Sequence, residues 1–250
     1  MNYETLLVEK KEGLGKITLN RPKVLNAINT KMLTELNQVL TDLDHDDEVN
    51  VIIITGTGKA FSAGLDLKDI ANAFQGTEGN VYSTMEQVSK PVIAAVNGYC
   101  YTGALELVLC FDLIVASEQA VFADTHARYG LLHGGGGTQR LPLAIGARKA
   151  KELMLTSEPI TAAEAERIGL VNKVVPADKL AEETEALAKK IVGNSQHSVR
   201  TIKYLIDQGI KHGLAAGLEL ETHEFTKYVE KGTPEEVRKR IESFTKKGQD

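Results

Sequence analysis

A chain of 250 residues with 34 acidic and 29 basic side chains, a formal net charge of −5, can fill one large domain or a core with a smaller appendage and has no overall attraction for nucleic acid. Its two cysteines, Cys100 and Cys110, lie in one apolar stretch and read as reduced core thiols, too few for a disulfide framework and lacking the further ligands of a metal site. No apolar run nears the roughly 20 residues that cross a bilayer, and the first short one is flanked by charges on both sides, unlike a signal peptide, so a cytoplasmic protein with no membrane partner is expected.

In chain order, Leu6 to Lys10 and Leu14 to Asn20 are strand-like runs around a Lys-Glu-Gly turn, which predicts a hairpin. Behind the cap-type Asn29, residues Met32, Leu33, Leu36, Val39, Leu40 and Leu43 recur at helical spacing and predict an amphipathic helix. Three short apolar strands follow, at Val49 to Thr55, Pro91 to Val96 and Leu113 to Ala116. Continuous runs of this kind suit strands covered on both faces, which points to an α/β fold of repeated βαβ units. From Thr161 the character changes: Ala162 to Ile168 and Lys179 to Val192 look helical, charged helices continue to the end, and no strand signal follows Val171 to Val175. The boundary falls between 176 and 200, giving an α/β core and then a helical tail.

Glu106 is the only charge between Lys90 and Asp112. If Ala104 to Cys110 is a helix, its neighbours three and four residues away are Thr102, Gly103, Leu109 and Cys110, none of them basic. An unpaired buried carboxylate is costly, and its usual escape, a raised pKa, suits a general acid or base near neutral pH. A helix with one wet face would accommodate the same residue without any chemistry.

Three glycine-containing loops lie where such a core places ligands: Gly58 to Leu67, Asn97 to Gly103 and His133 to Leu141. A helix beginning near Gly103 would present free N–H groups, and Gly64-Leu65 could add another from the neighbouring loop. Two such donors aimed at one point make an oxyanion hole; three ordinary tight turns explain the spacing as well. Neither nucleotide fingerprint fits, since Gly134 to Gly137 is not followed by Lys and Ser or Thr.

The strings Leu19-Asn-Arg-Pro-Lys-Val-Leu-Asn-Ala27, Ala60-Phe-Ser-Ala-Gly-Leu-Asp-Leu67, Lys90-Pro-Val-Ile-Ala-Ala-Val-Asn-Gly98 and Gly136-Gly-Thr-Gln-Arg-Leu141 occur in the order and spacing of the enoyl-CoA hydratase/isomerase, or crotonase, superfamily, which the chain resembles over essentially its whole length. The resemblance implies a core of ββα units, here 1–190, and a C-terminal helical region, 191–250, that drives assembly into a homotrimer or a hexamer made of two trimers. It implies an acyl-CoA thioester substrate, with coenzyme A as part of the substrate and no separate cofactor.

By position, Leu65 and Gly103 resemble the two oxyanion donors. Ala63, Gly64, Asp66, Leu67 and Lys68 fall in the substrate-contacting segment, and Lys23, Val24 and Leu25 resemble the loop meeting the nucleotide end of CoA. Glu106 matches the first catalytic glutamate of the hydratases, whereas the position of the second is His126. The implied reaction is hydration of a 2-enoyl-CoA with His126 in place of the missing acid. Isomerisation, decarboxylation, thioester hydrolysis or simple acyl-CoA binding are the alternatives. Asp124 could supply a carboxylate if the loop bends differently, and His133, where many relatives carry proline, reads as a loop histidine. Acyl chain length is expected to depend on Ile70 to Met85.

Overall fold

The computed structural model describes residues 3–69, 72, 81–230 and 235–247. Strands β1 (Leu6–Lys11) and β2 (Leu14–Leu19) pair antiparallel as the predicted hairpin, and Glu12 and Gly13 both take positive φ, the turn geometry that matches the twist of its two strands. Helix α1 (Thr30–His45) begins where Asn29 caps it, its side chain accepting a bond from Met32 N at 3.0 Å. Its apolar stripe, Met32, Leu36, Val39, Leu40 and Leu43, is buried, while Leu33 is only partly so.

Three successive strand pairs follow: β3 (Val51–Gly56) with β4 (Ala60–Ser62), β5 (Val92–Val96) with β6 (Tyr99–Tyr101), and β7 (Leu113–Ser117) with β8 (Val121–Ala123). Helix α2 (Val81–Gln87) follows the first pair and α3 (Gly103–Val108) the second. After β8 come α4 (Gly137–Ile145), α5 (Ala147–Thr156), β9 (Ile160–Thr161), α6 (Ala162–Arg167), β10 (Lys173–Val175) and α7 (Leu180–Val192).

The first strand of each pair joins a six-stranded sheet in the order β1-β2-β3-β5-β7-β10, parallel apart from β1. The second joins a four-stranded sheet, β4-β6-β8-β9, whose first three strands are parallel. The repeating unit is therefore ββα rather than the βαβ that the strand spacing suggested. The strands of the second sheet are three residues or fewer, too short to declare themselves by periodicity.

The all-apolar runs have the anticipated cause. In β3, Ile52 and Ile54 join the main core while Val51 and Ile53 join a second cluster beneath α7; in β5, Val92, Ala94 and Val96 divide from Ile93 and Ala95 in the same way. Both faces of the central strands are covered, so no polar position interrupts them. Cys100 is buried and Cys110 half-buried, both free, and burial pushes the Cys110 thiol up to about 11.

The chain divides into two compact units at Gly193/Asn194. The second holds α8 (Gln196–His212), α9 (Leu214–Glu230) and α10 (Glu235–Lys247). Neither α8 nor α9 buries a single residue completely, and Ile202, Ile206, Ile210, Leu214, Leu218, Phe225 and Val229 are exposed. Among the described residues no helix is long and apolar enough to cross a membrane.

Candidate active site

Helix α3 is buried along its whole length, and Glu106 is 2% exposed, so the wet-face explanation of this acid is excluded. It is not left without partners. Its Oε1 accepts bonds from the N–H groups of Gly135 at 2.9 Å and Gly137 at 3.0 Å, at the start of α4, and amides so placed stabilise a carboxylate. The third glycine loop is thus a cradle for Glu106. A Cβ on Gly137 would stand 3.0 Å from Glu106 Cγ and 3.1 Å from its Oε1, so glycine is what lets the amide approach.

The other oxygen, Oε2, faces His126 Nε2 at 3.5 Å. His126, just after β8, is buried, and its Nδ1 lies 2.9 Å from Asp124 Oδ1, which also accepts from the His126 amide at 3.1 Å. Asp124 Oδ2 lies 2.7 Å from His133 Nε2, and the two imidazoles pack with centroids 3.9 Å apart. Asp124 therefore faces the two imidazoles rather than the cavity, and His133 is more than a loop histidine. Burial would push the Asp124 carboxyl up, but the hydrogen bonds and charges of the two histidines outweigh it and hold the group below its ordinary range. The ligand atoms of Asp124, His126 and His133 lie within 4.8 Å of one another, a span that one divalent ion could bridge, although each atom is already hydrogen-bonded within the trio.

Leu65 and Gly103 approach across the gap between β4 and α3. A Cβ on Gly103 would lie 3.6 Å from Leu65 N, and one on Gly64 would lie 3.3 Å from Gly103 N. Among the described residues neither amide donates to a protein acceptor: the bridge at Leu65 uses Ile28 N, Gly64 O and Asp66 N, and Gly103 opens its helix. Gly64 has φ +92, and a Cβ there would strike Tyr101 O at 2.7 Å, so this turn admits only glycine. Thr102, which sets the direction of Gly103, holds φ +54, a strained value for a β-branched residue, and is fixed by its N–H to Ala123 O at 2.8 Å.

Glu106 and His126 form part of the wall of a cavity of about 800 Å³, together with Ala63, Leu65, Asp66 and Leu67. Asp66 is also tied to Arg21 at 2.9 Å. Lys23, Val24 and Leu25 are exposed in and just after a short 3-10 turn and do not line this cavity, nor does Lys68. The segment expected to set acyl length is described only in part: residues 70, 71 and 73–80 lie outside the described residues, while Val81 and Tyr82 reach the cavity wall. Tyr82 donates to Gly103 O at 3.2 Å, and burial, reinforced by the charge of Glu106, pushes its phenol up.

Sequence reasoning missed the Gly135 and Gly137 cradle, Tyr82, and the joint role of Asp124 and His133. Only Asp124 carried a local signal, since an Asp two residues before a backbone N–H commonly accepts from it.

The family model described as enoyl-CoA hydratase/isomerase matches residues 9–250. The chain is 40% identical to a probable enoyl-CoA hydratase of Mycobacterium bovis over 98% of this chain and 99% of that protein. It is 38% identical to a crotonyl-CoA hydratase of Syntrophomonas wolfei over 90% of each. The crystal structure of an enoyl-CoA hydratase from Bacillus anthracis matches with a TM-score of 0.89 at 34% identity, covering 98% of this chain and 97% of that one. The buried glutamate, the facing amides and these whole-length matches lead to one conclusion: the chain belongs to the enoyl-CoA hydratase/isomerase family.

Proposed function

We propose that the protein is an enoyl-CoA hydratase that adds water across a 2-enoyl-CoA double bond. The observation that carries this reading is the 3.5 Å approach of Glu106 Oε2 to His126 Nε2 at the wall of the cavity, beside two uncommitted amides.

In this cycle the base is Glu106, whose Oε1 is held by two amides, and the proton donor is Nε2 of His126, whose Nδ1 faces Asp124. A water ~2.8 Å from both Oε2 and Nε2 fits at the apex of a triangle over that pair. Glu106 takes the water's proton as its oxygen attacks C3. Electron density moves onto the thioester oxygen, where the N–H groups of Leu65 and Gly103 stabilise the enolate more than the ground state. His126 Nε2–H delivers a proton to C2, and the proton left on Oε2 returns to Nε2 through the next water bound between the two side chains. One water is consumed, and both side chains are restored. The chemistry requires no cofactor beyond the coenzyme A carried by the substrate.

Ala63, Gly64, Asp66, Leu67 and Lys68 belong to this reading as the segment along which the thioester lies, and exposed Lys23, Val24 and Leu25 as the contact for the CoA nucleotide. The unburied apolar face of α8 and α9 supports assembly into a trimer, or a hexamer of two trimers. Reduced thiols support a cytoplasmic site of action.

Incubation with crotonyl-CoA and a panel of other acyl-CoAs, followed by mass analysis, tests the proposal. A gain of one water on crotonyl-CoA is expected. An isomer of unchanged mass, loss of carbon dioxide, release of free CoA or no change at all would each replace hydration with a different use of the same oxyanion site.

A further inference from the structure

Asp124, which is buried, and His133, which is half-buried, belong to the same trio as His126 but are absent from the cavity wall. Among the described residues, every side-chain hydrogen bond of Asp124 serves an imidazole or the peptide carrying one. Oδ1 accepts from the His126 amide and faces its Nδ1, so the side chain fixes both the backbone from which His126 emerges and the rotation of its ring. Oδ2 faces His133 Nε2, and the ring of His133 lies 3.9 Å from that of His126, which blocks one face of it. A carboxylate that accepts from Nδ1 leaves the proton there and turns Nε2 toward Glu106 Oε2.

We propose that Asp124 is a positioning residue for the hydration reaction, setting the tautomer and aim of His126 with its carboxylate plane locked by His133. The proposal rests on the hydratase reading of the site. When His126 has given its Nε2 proton to C2, Asp124 keeps the remaining proton on Nδ1. Nε2 is then the only basic nitrogen, and it receives the proton back from Glu106. Without Asp124 the neutral ring can carry its proton on Nε2 instead, and the return step has no acceptor. Asp124 itself neither gains nor loses a proton in the cycle. His133 acts at one further remove, because Asp124 rotated about its own side chain would present Nδ1 with a poorer angle.

The test uses the full chain with Asp124→Asn, Asp124→Ala and His133→Ala. Asparagine keeps the volume but cannot accept from both imidazoles, because one side of the amide is a donor. Hydration of crotonyl-CoA by Asp124→Asn should show kcat lowered ~10²-fold while KM stays within about two-fold, the signature of an interaction that matters only in the transition state. His133→Ala should show the same split with a smaller fall. Formate added to Asp124→Ala should restore part of kcat without changing KM, a response that a packing defect would not give.

In protein labelled with 15N-histidine, His126 of the parent should show a protonated Nδ1, and Asp124→Asn should shift that resonance. Unchanged kcat in both Asp124 variants overturns the proposal, as does a kcat loss matched by an equal loss of butyryl-CoA binding with no formate response. One equivalent of bound zinc in the purified protein, with activity lost on chelation, also overturns it, because the three side chains would then be metal ligands. If the parent does not hydrate crotonyl-CoA, the functional reading fails on its own. The nitrogen resonances would still report whether Asp124 sets the tautomer of His126.

Discussion

Glu106 and His126 meet at 3.5 Å, each restrained on its far side by a different element: Glu106 by the amides that open α4, His126 by the Asp124 carboxylate. Neither side chain can turn away from the other without breaking at least one buried hydrogen bond. The pair is preorganised, and little ordering remains for substrate binding to supply.

Replacement of Glu106 by Gln should therefore abolish chemistry and spare binding. The amide keeps one acceptor for Gly135 and Gly137 but cannot take a proton from water. Crotonyl-CoA turnover should fall by ~10²–10⁴, with butyryl-CoA affinity within a few fold of the parent. Equal turnover by mutant and parent would remove Glu106 from the mechanism.

Restoring a glutamate at the second position should not restore a better hydratase. His126→Glu places a third carboxylate against Asp124 and Glu106, both buried, with no proton donor between them. Like charges at that distance destabilise the fold and force one group to hold a proton. We expect lower turnover and a lower melting temperature for His126→Glu, with both partly recovered by adding Asp124→Asn. A rise in turnover for the single substitution would mean that histidine is a poor stand-in and that the loop repacks.

Lys90 tests a structural feature away from the cavity. It is 1% exposed, and its Nζ donates at 2.6 Å to Leu43 O and at 2.6 Å to Asp46 O, carbonyls at the C-terminal end of α1. Lys90→Met fills the same channel but leaves those carbonyls without their donor. Denaturant unfolding should show a loss of about 1–3 kcal/mol, with kcat for crotonyl-CoA unchanged. An unchanged midpoint would mean that water replaces the ammonium at no cost.

How legible these features were depends on the range over which they are determined. The strands at Val51 and Val92 could be read from the sequence because burial on both faces removes every polar residue from a short run, a purely local mark. Glu106 stood out for the same reason, as a lone acid in an apolar stretch. The cradle was not legible: nothing within Gly134 to Gly137 says that its amides face a side chain 29 and 31 residues earlier. The link from His133 back to Asp124 spans nine residues and follows no helical or strand period, so it appears only when the loop between them is folded. The three-residue strands of the second sheet owe their form to parallel neighbours rather than to their own composition.

Glu35 offers a test of pH-dependent stability. Its carboxylate, on α1, accepts from Glu4 N at 2.9 Å and Thr5 N at 2.9 Å and from the Thr5 hydroxyl, pinning the strand-leading segment to the helix. Burial works against its charged form, but these bonds, with Lys31 nearby, outweigh burial and hold the carboxyl below its ordinary value. A group whose pKa is depressed by folding contributes stability above its unfolded value, about 4.3 for glutamate, and that contribution disappears as pH falls through the lower folded value. The difference in unfolding free energy between the parent and Glu35→Gln should therefore be constant from about pH 7 to pH 5.5 and shrink as pH drops below about 4. Because Gln still accepts at one oxygen, the part of the gap due to lost acceptor geometry should persist in acid. Only the shrinking part reports the charge. A gap that stays level down to pH 3 would mean that Glu35 is held no more tightly ionised in the fold than in the unfolded chain.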